Sequence, residues 1–396
     1  MSINYFEESV KLHREHKGKL EIVSKVKLET TDDLSTVYSP GVAQPCIEIS
    51  KNIELAKELT IKANTVAIIS DGSAVLGLGN IGAEAAIPVM EGKAILFKEF
   101  ADIDAFPICL KTQDKDEIVF IVKNLAPVFG GINLEDIQAP KCFEIEARLQ
   151  EIGIPVFHDD QHGTAIVLLA ALINACKVVG KNLEDLKIVI NGAGAAGVAI
   201  MKLLKCVGYD KNYCTTVREI IMCDSIGIVS RDRPNLNSSK LELLKYSNPN
   251  HLNGSLKDAI KDADVFIGVS SGNILTKEDI KTMAKDSIVF AMANPIPEIM
   301  PEEALLGGAR IIGTGRSDFP NQVNNVLAFP GIFKGALMAK ASRITSEMKI
   351  AAAYALSECV LEPTENQLLP HALDKKVAYI VAQAVEKAWL HHPENI

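Results

Sequence analysis

Residues 187–197 read KIVINGAGAAG, a β-branched strand that runs straight into Gly192, Gly194 and Gly197. Glycines at these places permit a tight turn, let the backbone approach a pyrophosphate, and allow the following helix to sit close to the strand. The helix N-terminus then turns free N–H groups toward phosphate oxygens. The loop Gly192, Ala193, Gly194, Ala195, Ala196, Gly197 therefore predicts a dinucleotide site, with the apolar stretch to about Val207 as its helix. The next strand, Ile220–Cys223, ends at Asp224. A carboxylate there can accept the two adenosine ribose hydroxyls and repel a 2'-phosphate, which predicts NAD over NADP. Arg231 and Arg233 follow closely, so NADP stays possible.

Outward from this unit, strands and helices alternate. Further strands are predicted at Val265–Val269, Ile288–Ala291 and Ile311–Gly313, which completes a doubly wound sheet of the Rossmann type. Upstream, strands at Val66–Ser70, Phe106–Leu110, Ile132–Leu134 and Val156–His158 alternate with helices at Ala83–Phe97, Asp116–Leu125 and Phe143–Ile152. A long helix, Thr164–Val179, ends at Gly180 as a C-terminal cap. Helical spacing returns over Thr345–Leu356 and Ala372–Leu390, with Pro363 and Pro370 between. The expected fold is α/β in two domains: 1–162, and 163–396 with the C-terminal helices.

Bulk properties narrow the class. A chain of 396 residues exceeds one ordinary core, and 48% apolar with 23% charged residues is globular. The net charge of -9, with no Lys/Arg-rich block, repels phosphate backbones and argues against nucleic acid. Eight scattered cysteines show no CxxC or zinc spacing and read as reduced, mostly buried thiols. No secretory signal is visible and Ala165–Cys176 is short for a bilayer, so a cytoplasmic protein off the membrane is expected.

Two acidic pairs stand in apolar surroundings where strands end: Glu135 with Asp136 in GINLEDI, and Asp159 with Asp160 in VFHDDQHG. Ligands gather at the carboxyl ends of strands in open α/β sheets, and hard oxygens suit Mg²⁺ or Mn²⁺. A solvated turn and a helix cap by Asp160 are the plainer readings. His158 and His162 read as ordinary hydrogen-bonding residues, because a strand precedes them where a zinc-protease helix is needed. Tyr38 sits in the rigid VYSPGVAQP loop, and Lys93 in the largely apolar MEGKAILFK segment. A lysine base must have its pKa lowered toward about 7 to 8 by burial or a nearby cation.

In order along the chain, YSPGVAQP, DGSAVLGLGNIG, PVMEGKAILFKEFADIDAFPI, NLEDI, FHDDQHGTA, NGAGAAG, ANPIPE and GTGRSDFPNQVNNVLAFPG make it resemble the malic enzymes, specifically the short bacterial type. That resemblance implies NAD-linked, Mg²⁺- or Mn²⁺-dependent oxidation of malate with release of carbon dioxide and pyruvate. It implies Lys93 as general base, Tyr38 as the acid that protonates the enol carbon, and Asp159 beside Lys93. Glu135, Asp136 and Asp160 would hold the metal. Asn294 of ANPIPE, together with Asn325 and the adjacent Asn324, would contact substrate, with Asn294 also near the cofactor. Together with the apolar helices it implies at least a homodimer. One departure stands out: longer members carry an arginine two residues before LGLG, and this chain has Ala74. Without the resemblance, two alternatives remain: a metal-independent amino-acid or hydroxy-acid dehydrogenase, and a non-catalytic dinucleotide-sensing module.

Overall fold

The computed structural model describes residues 4–392 apart from 76, 211–213, 235 and 237. Two sheets organise it. In the first, β1 (Thr65–Ser70), β2 (Asp104–Cys109), β3 (Gly131–Leu134) and β4 (Val156–His158) lie in the order β2-β1-β3-β4, all parallel. In the second, β5 (Lys187–Asn191), β6 (Glu219–Asp224), β7 (Gly227–Ile228), β8 (Val265–Gly268), β9 (Ile288–Ala291) and β10 (Ile311–Thr314) run β10-β9-β8-β5-β6-β7. Only the short edge strand β7 is antiparallel. All residues of β1, β3 and β4 are buried, as strands covered by helices on both faces require.

Two elements are longer than the sequence predicts. The helix Ala83–Ala101 carries Pro88 inside it. Asp159–Val179 begins at the first acid after β4, five residues before the expected Thr164, so residue 162 lies within it. At 21 residues this helix has the length and apolarity to span a bilayer, but about two thirds of its apolar window is buried inside the protein, as in a core helix.

A helix absent from the sequence expectation joins the two units. Phe329–Met338 reads FPGIFKGALM, where one proline and two glycines suggest a loop. Pro330 falls in the first turn, where its missing N–H costs nothing. The glycines permit close packing: a β-carbon on Gly331 would stand 2.6 Å from the Ala378 carbonyl, and one on Gly335 2.3 Å from that of Ala382. The helix thereby seats against Lys376–Leu390, while its aromatic face reaches the first unit. Phe97 meets Phe329 and Phe333 edge-on at centroid separations of 4.8 and 5.4 Å, and Phe157 meets Phe333 at 6.0 Å.

The N-terminal segment differs from everything else. Its helices Tyr5–His16, Thr31–Val37 and Ala43–Lys51 contain no buried residue. Phe6, Ile22 and Ile53 stand 87%, 86% and 73% exposed. It is tied down at a few points, among them Lys19 Nζ donating to the Pro88 carbonyl (2.8 Å) and Lys62 Nζ to those of Ala126 and Phe129 (2.6 and 2.8 Å).

The expectation of eight free thiols is overturned. Cys206 and Cys214 are joined in a disulfide with their Cα atoms 5.8 Å apart, and Cys46 is exposed.

Candidate active site

Lys93 projects from the middle of helix Ala83–Ala101 and is 8% exposed. Its ammonium donates to Glu135 Oε1 at 2.8 Å and to Asp159 Oδ2, and lies 4.1 Å from the centre of the Phe329 ring. Glu135 and Asp136 leave the carboxyl end of β3, and Asp159 and Asp160 that of β4. Neighbouring parallel strands thus present the four acids at one edge, against a helix that follows β1.

Within this group the carboxylates are held from behind. Asn133 Nδ2 donates to Glu135 Oε2 (2.8 Å), Asn325 Nδ2 to Asp159 Oδ2 (3.1 Å), and the Asp136 N–H to Asp160 Oδ2 (2.9 Å). That last bond replaces the helix-cap reading of Asp160, since His158 occupies the cap position and no side chain caps. The Ala74 N–H donates to the Asp136 carbonyl at 3.0 Å, so position 74 does border the group, with a methyl where longer family members have an arginine.

Electrostatics set the group's character. Burial pulls the Lys93 ammonium down, but Asp159 and Glu135 outweigh it and raise its pKa above the ordinary lysine value. The expected lowering of Lys93 is therefore absent in this state: the residue is a cation. Burial pushes Glu135 well up and Asp159 up, against the pull of Lys93, with Asp160 adding to both. Four carboxylates crowd around one ammonium, and the buried Asp159 Oδ1 has no hydrogen-bond partner among the described residues. Oxygens of Glu135, Asp136 and Asp160 lie within 4.8 Å of one another. An all-carboxylate set short of positive charge fits a divalent cation of the Mg²⁺ or Mn²⁺ kind.

The second sheet supplies the dinucleotide side. Gly192 follows β5, and helix Ala195–Leu204 starts directly beyond Gly194. A β-carbon on Gly197 would stand 1.8 Å from the Gly192 carbonyl, so only glycine lets this helix close on the turn. Asp224 ends β6, as expected, but its carboxylate is already engaged: Arg233 meets both oxygens at 2.9 Å, and Lys240 reaches Oδ2 at 2.6 Å. Burial would raise Asp224, yet these bonds and the Ile226 N–H hold it at about 2. Asn294 follows β9, with its carbonyl against the 71–82 loop, 3.0 Å from where a β-carbon on Gly77 would stand.

Of the other expected residues, Asn325 reaches Asp159 directly, and Thr164 Oγ1 donates to its side-chain oxygen at 3.1 Å. Asn324 caps the short helix after it, accepting from the Val326 N–H at 3.0 Å. Tyr38 does not join the buried group, being 68% exposed on the N-terminal segment. His162 pairs with Glu146 at 2.8 Å, but neither ring nitrogen of the buried His158 has a hydrogen-bond partner among the described residues. Sequence reading missed Phe329, which roofs Lys93, and Asn133. A buried asparagine two residues before an acid on one strand shares its face, and that spacing was the available signal for Asn133.

A lysine enclosed by acids, beside a sheet whose glycine turn suits a dinucleotide, marks a dinucleotide-dependent oxidoreductase. Comparison with known proteins agrees. Residues 17–150 match the malic enzyme N-terminal domain and 161–389 the malic enzyme NAD binding domain. The bifunctional malic/malolactic enzyme of Bacillus subtilis (strain 168) is 58% identical over 386 residues, 96% of this chain and 92% of that one. An NAD-dependent malic enzyme of Geobacillus stearothermophilus is 57% identical over 374 residues, 94% and 76% of the two chains. The crystal structure of the NAD-dependent malic enzyme from Thermotoga maritima superposes with a TM-score of 0.91 at 49% identity, covering 97% of this chain and 99% of that one. The chain belongs to the malic enzyme family.

Proposed function

We propose that this protein oxidises (S)-malate with NAD, releasing carbon dioxide and forming pyruvate, and that Glu135, Asp136 and Asp160 hold the divalent metal the reaction uses. The observation that carries the reading is Lys93 enclosed between Glu135 and Asp159 beside that three-carboxylate group. When bound, Mg²⁺ or Mn²⁺ supplies Lewis-acid stabilisation for negative charge on the C2 oxygen and positive charge among the acids.

Lys93 has the reach and the neighbours for proton traffic at the malate 2-hydroxyl. With positive charge added among its carboxylate partners it would release its ammonium proton to water and then take the hydroxyl proton at Nζ, while NAD, when bound, would supply the acceptor for the C2 hydride. Asp159, fixed by Asn325, orients the ammonium. Oxaloacetate results, and cleavage of its C3–C4 bond releases carbon dioxide and leaves the enolate of pyruvate. Tyr38 gives its phenolic proton to C3. Asn294 and Asn325 offer amide hydrogen bonds to substrate, with Asn324 setting the turn that presents Asn325. The Gly192–Gly197 turn binds the pyrophosphate through backbone N–H groups. NAD remains the preferred cofactor because Asp224 stays ionised, although Arg233 and Lys240 soften its repulsion of a 2'-phosphate.

Tyr38 works on a second copy of the chain. None of its helices has a buried residue, and its exposed apolar side chains fit an interface that carries the phenol into the neighbour's site. The enzyme is accordingly at least a homodimer, and a cytoplasmic setting accords with the reading. The direct test follows NAD reduction and pyruvate formation from malate with Mn²⁺, before and after exhaustive chelation. Turnover that survives chelation overturns the metal-assisted reading.

A further inference from the structure

The first turn of helix Asp159–Val179 serves two places at once. Asp159 and Asp160 belong to the Lys93 group, while the next residues, Gln161 and His162, border a separate cavity of about 300 Å³. Helices Lys141–Leu149, Ala195–Leu204 and Ser346–Glu358 form its other walls, so it lies on the seam between the two sheets' helical layers. That volume is at the lower end of small-molecule sites, and Phe143 and Val198 give it an apolar wall.

Its polar lining includes Glu146, His162, Lys202, Tyr209, Ser346 and Lys349. Glu146 is fully engaged: His162 Nε2 lies 2.8 and 3.0 Å from its two oxygens, Gln161 Nε2 donates at 3.3 Å, and the His158 N–H also donates at 3.3 Å. Burial pushes Glu146 up most strongly, but His162, Lys349 and His158 together outweigh it and hold it at about 2, so it stays an anion within that network. Ser346 Oγ donates to the Gly208 carbonyl at 2.8 Å.

The lysines are different. Neither Lys349 Nζ nor Lys202 Nζ makes a hydrogen bond or ion pair among the described residues. Lys202 is exposed at the rim, whereas Lys349 is half-buried. Burial draws the Lys349 ammonium down, and Glu146 opposes this without touching it. A half-buried ammonium on a cavity wall, with no counter-ion in contact, is free to take one from outside the chain. Tyr209, whose phenol burial keeps protonated, adds a donor.

We propose that this cavity is an effector site for a small organic anion, a short carbon chain bearing carboxylate or phosphate, gripped by Lys349 with Lys202 closing over it. Its occupant adds negative charge beside the turn that carries Asp159 and Asp160, which favours a cation on Glu135, Asp136 and Asp160. By linkage the cation favours the anion equally. The anion site stands on the cavity and its lysines; this coupling alone rests on the metal reading above.

Calorimetric titration of the full-length enzyme, with Mg²⁺ and NAD present, tests it with succinate and, separately, inorganic phosphate as probes. Saturable binding of one probe in the millimolar range is expected, and which one identifies the charged group recognised. Lys349→Met is expected to weaken it at least tenfold and Lys202→Gln about threefold, with Lys93→Met changing it less than twofold. Lys202→Gln lies at an exposed position, so it reports even where the Lys349 substitution disturbs folding. Absence of saturable binding, wild-type binding by both lysine variants, or loss of binding in Lys93→Met each overturns the site. Replacing Mg²⁺ with EDTA is expected to weaken the probe several-fold. No change there, with the lysine effects intact, overturns the coupling and leaves the anion site standing.

Discussion

Lys93 and Tyr38 are assigned to one reaction, yet they live in opposite surroundings. Lys93 is roofed by Phe329, hydrogen-bonded to two acids and closed from water; Tyr38 stands in the open on a segment with no buried residue. On the proposed reading, one half of the chemistry is preorganised inside a single chain, and the other half waits for assembly. The contrast teaches where the proposed dimer has to contribute: at the exposed phenol and not at the buried lysine.

The largest effect should come from Lys93→Met, which removes proton transfer at the buried centre. It is expected to lower kcat by about 10²- to 10⁴-fold while the dissociation constant for NADH, read by fluorescence, changes little. Tyr38→Phe should cost roughly 10²-fold in kcat. The two inactive proteins should then rescue each other: subunits dissociated, mixed equally and reassembled recover about a quarter of the wild-type sites, as a two-fold dimer predicts. A mixture that stays dead shows that Tyr38 serves its own chain.

Smaller still is the effect on assembly of charging the arm. Ile22→Asp should raise the dimer dissociation constant by about tenfold, seen as a falling mass by light scattering on dilution, with the subunit's melting temperature nearly unmoved. Unchanged mass at all dilutions would break the comparison at its exposed end. Least is expected at Asp224, whose folded pKa is depressed to about 2. Such a group adds stability above its unfolded pKa near 3.9, and the contribution, about 2 kcal/mol, is lost as pH falls toward 2. Asp224→Asn should flatten the urea-measured stability over that window. In titrations it should also shift the ratio of NAD to NADP affinity toward NADP, because Arg233 and Lys240 lose their internal anion.

Periodicity made the sheets legible, because strands buried on both faces leave short β-branched runs bounded by turns, as at Lys187–Asn191 and Gly131–Leu134. The acids could be found because carboxylates in apolar surroundings have few reasons to be there. What stayed hidden depends on partners far along the chain. Gly331 and Gly335 look like helix breakers until Ala378 and Ala382 are laid against them. Lys93 looks like a group awaiting a lowered pKa until Glu135 and Asp159 close around it. Nothing local to MCDSIG announces that Arg233 and Lys240 return to grip Asp224.

The pairing of Phe329–Met338 with Lys376–Leu390 carries one more implication. The same short helix that covers the reactive lysine with its first ring is bolted along its glycine face to a helix near the carboxyl end of the chain. Loosening that distant helix, by a bulky replacement at Ala378 or Ala382, would tilt the roof and admit water to a centre that depends on being dry. Turnover should therefore register damage some fifty residues downstream of Phe329 before the protein's unfolding transition does.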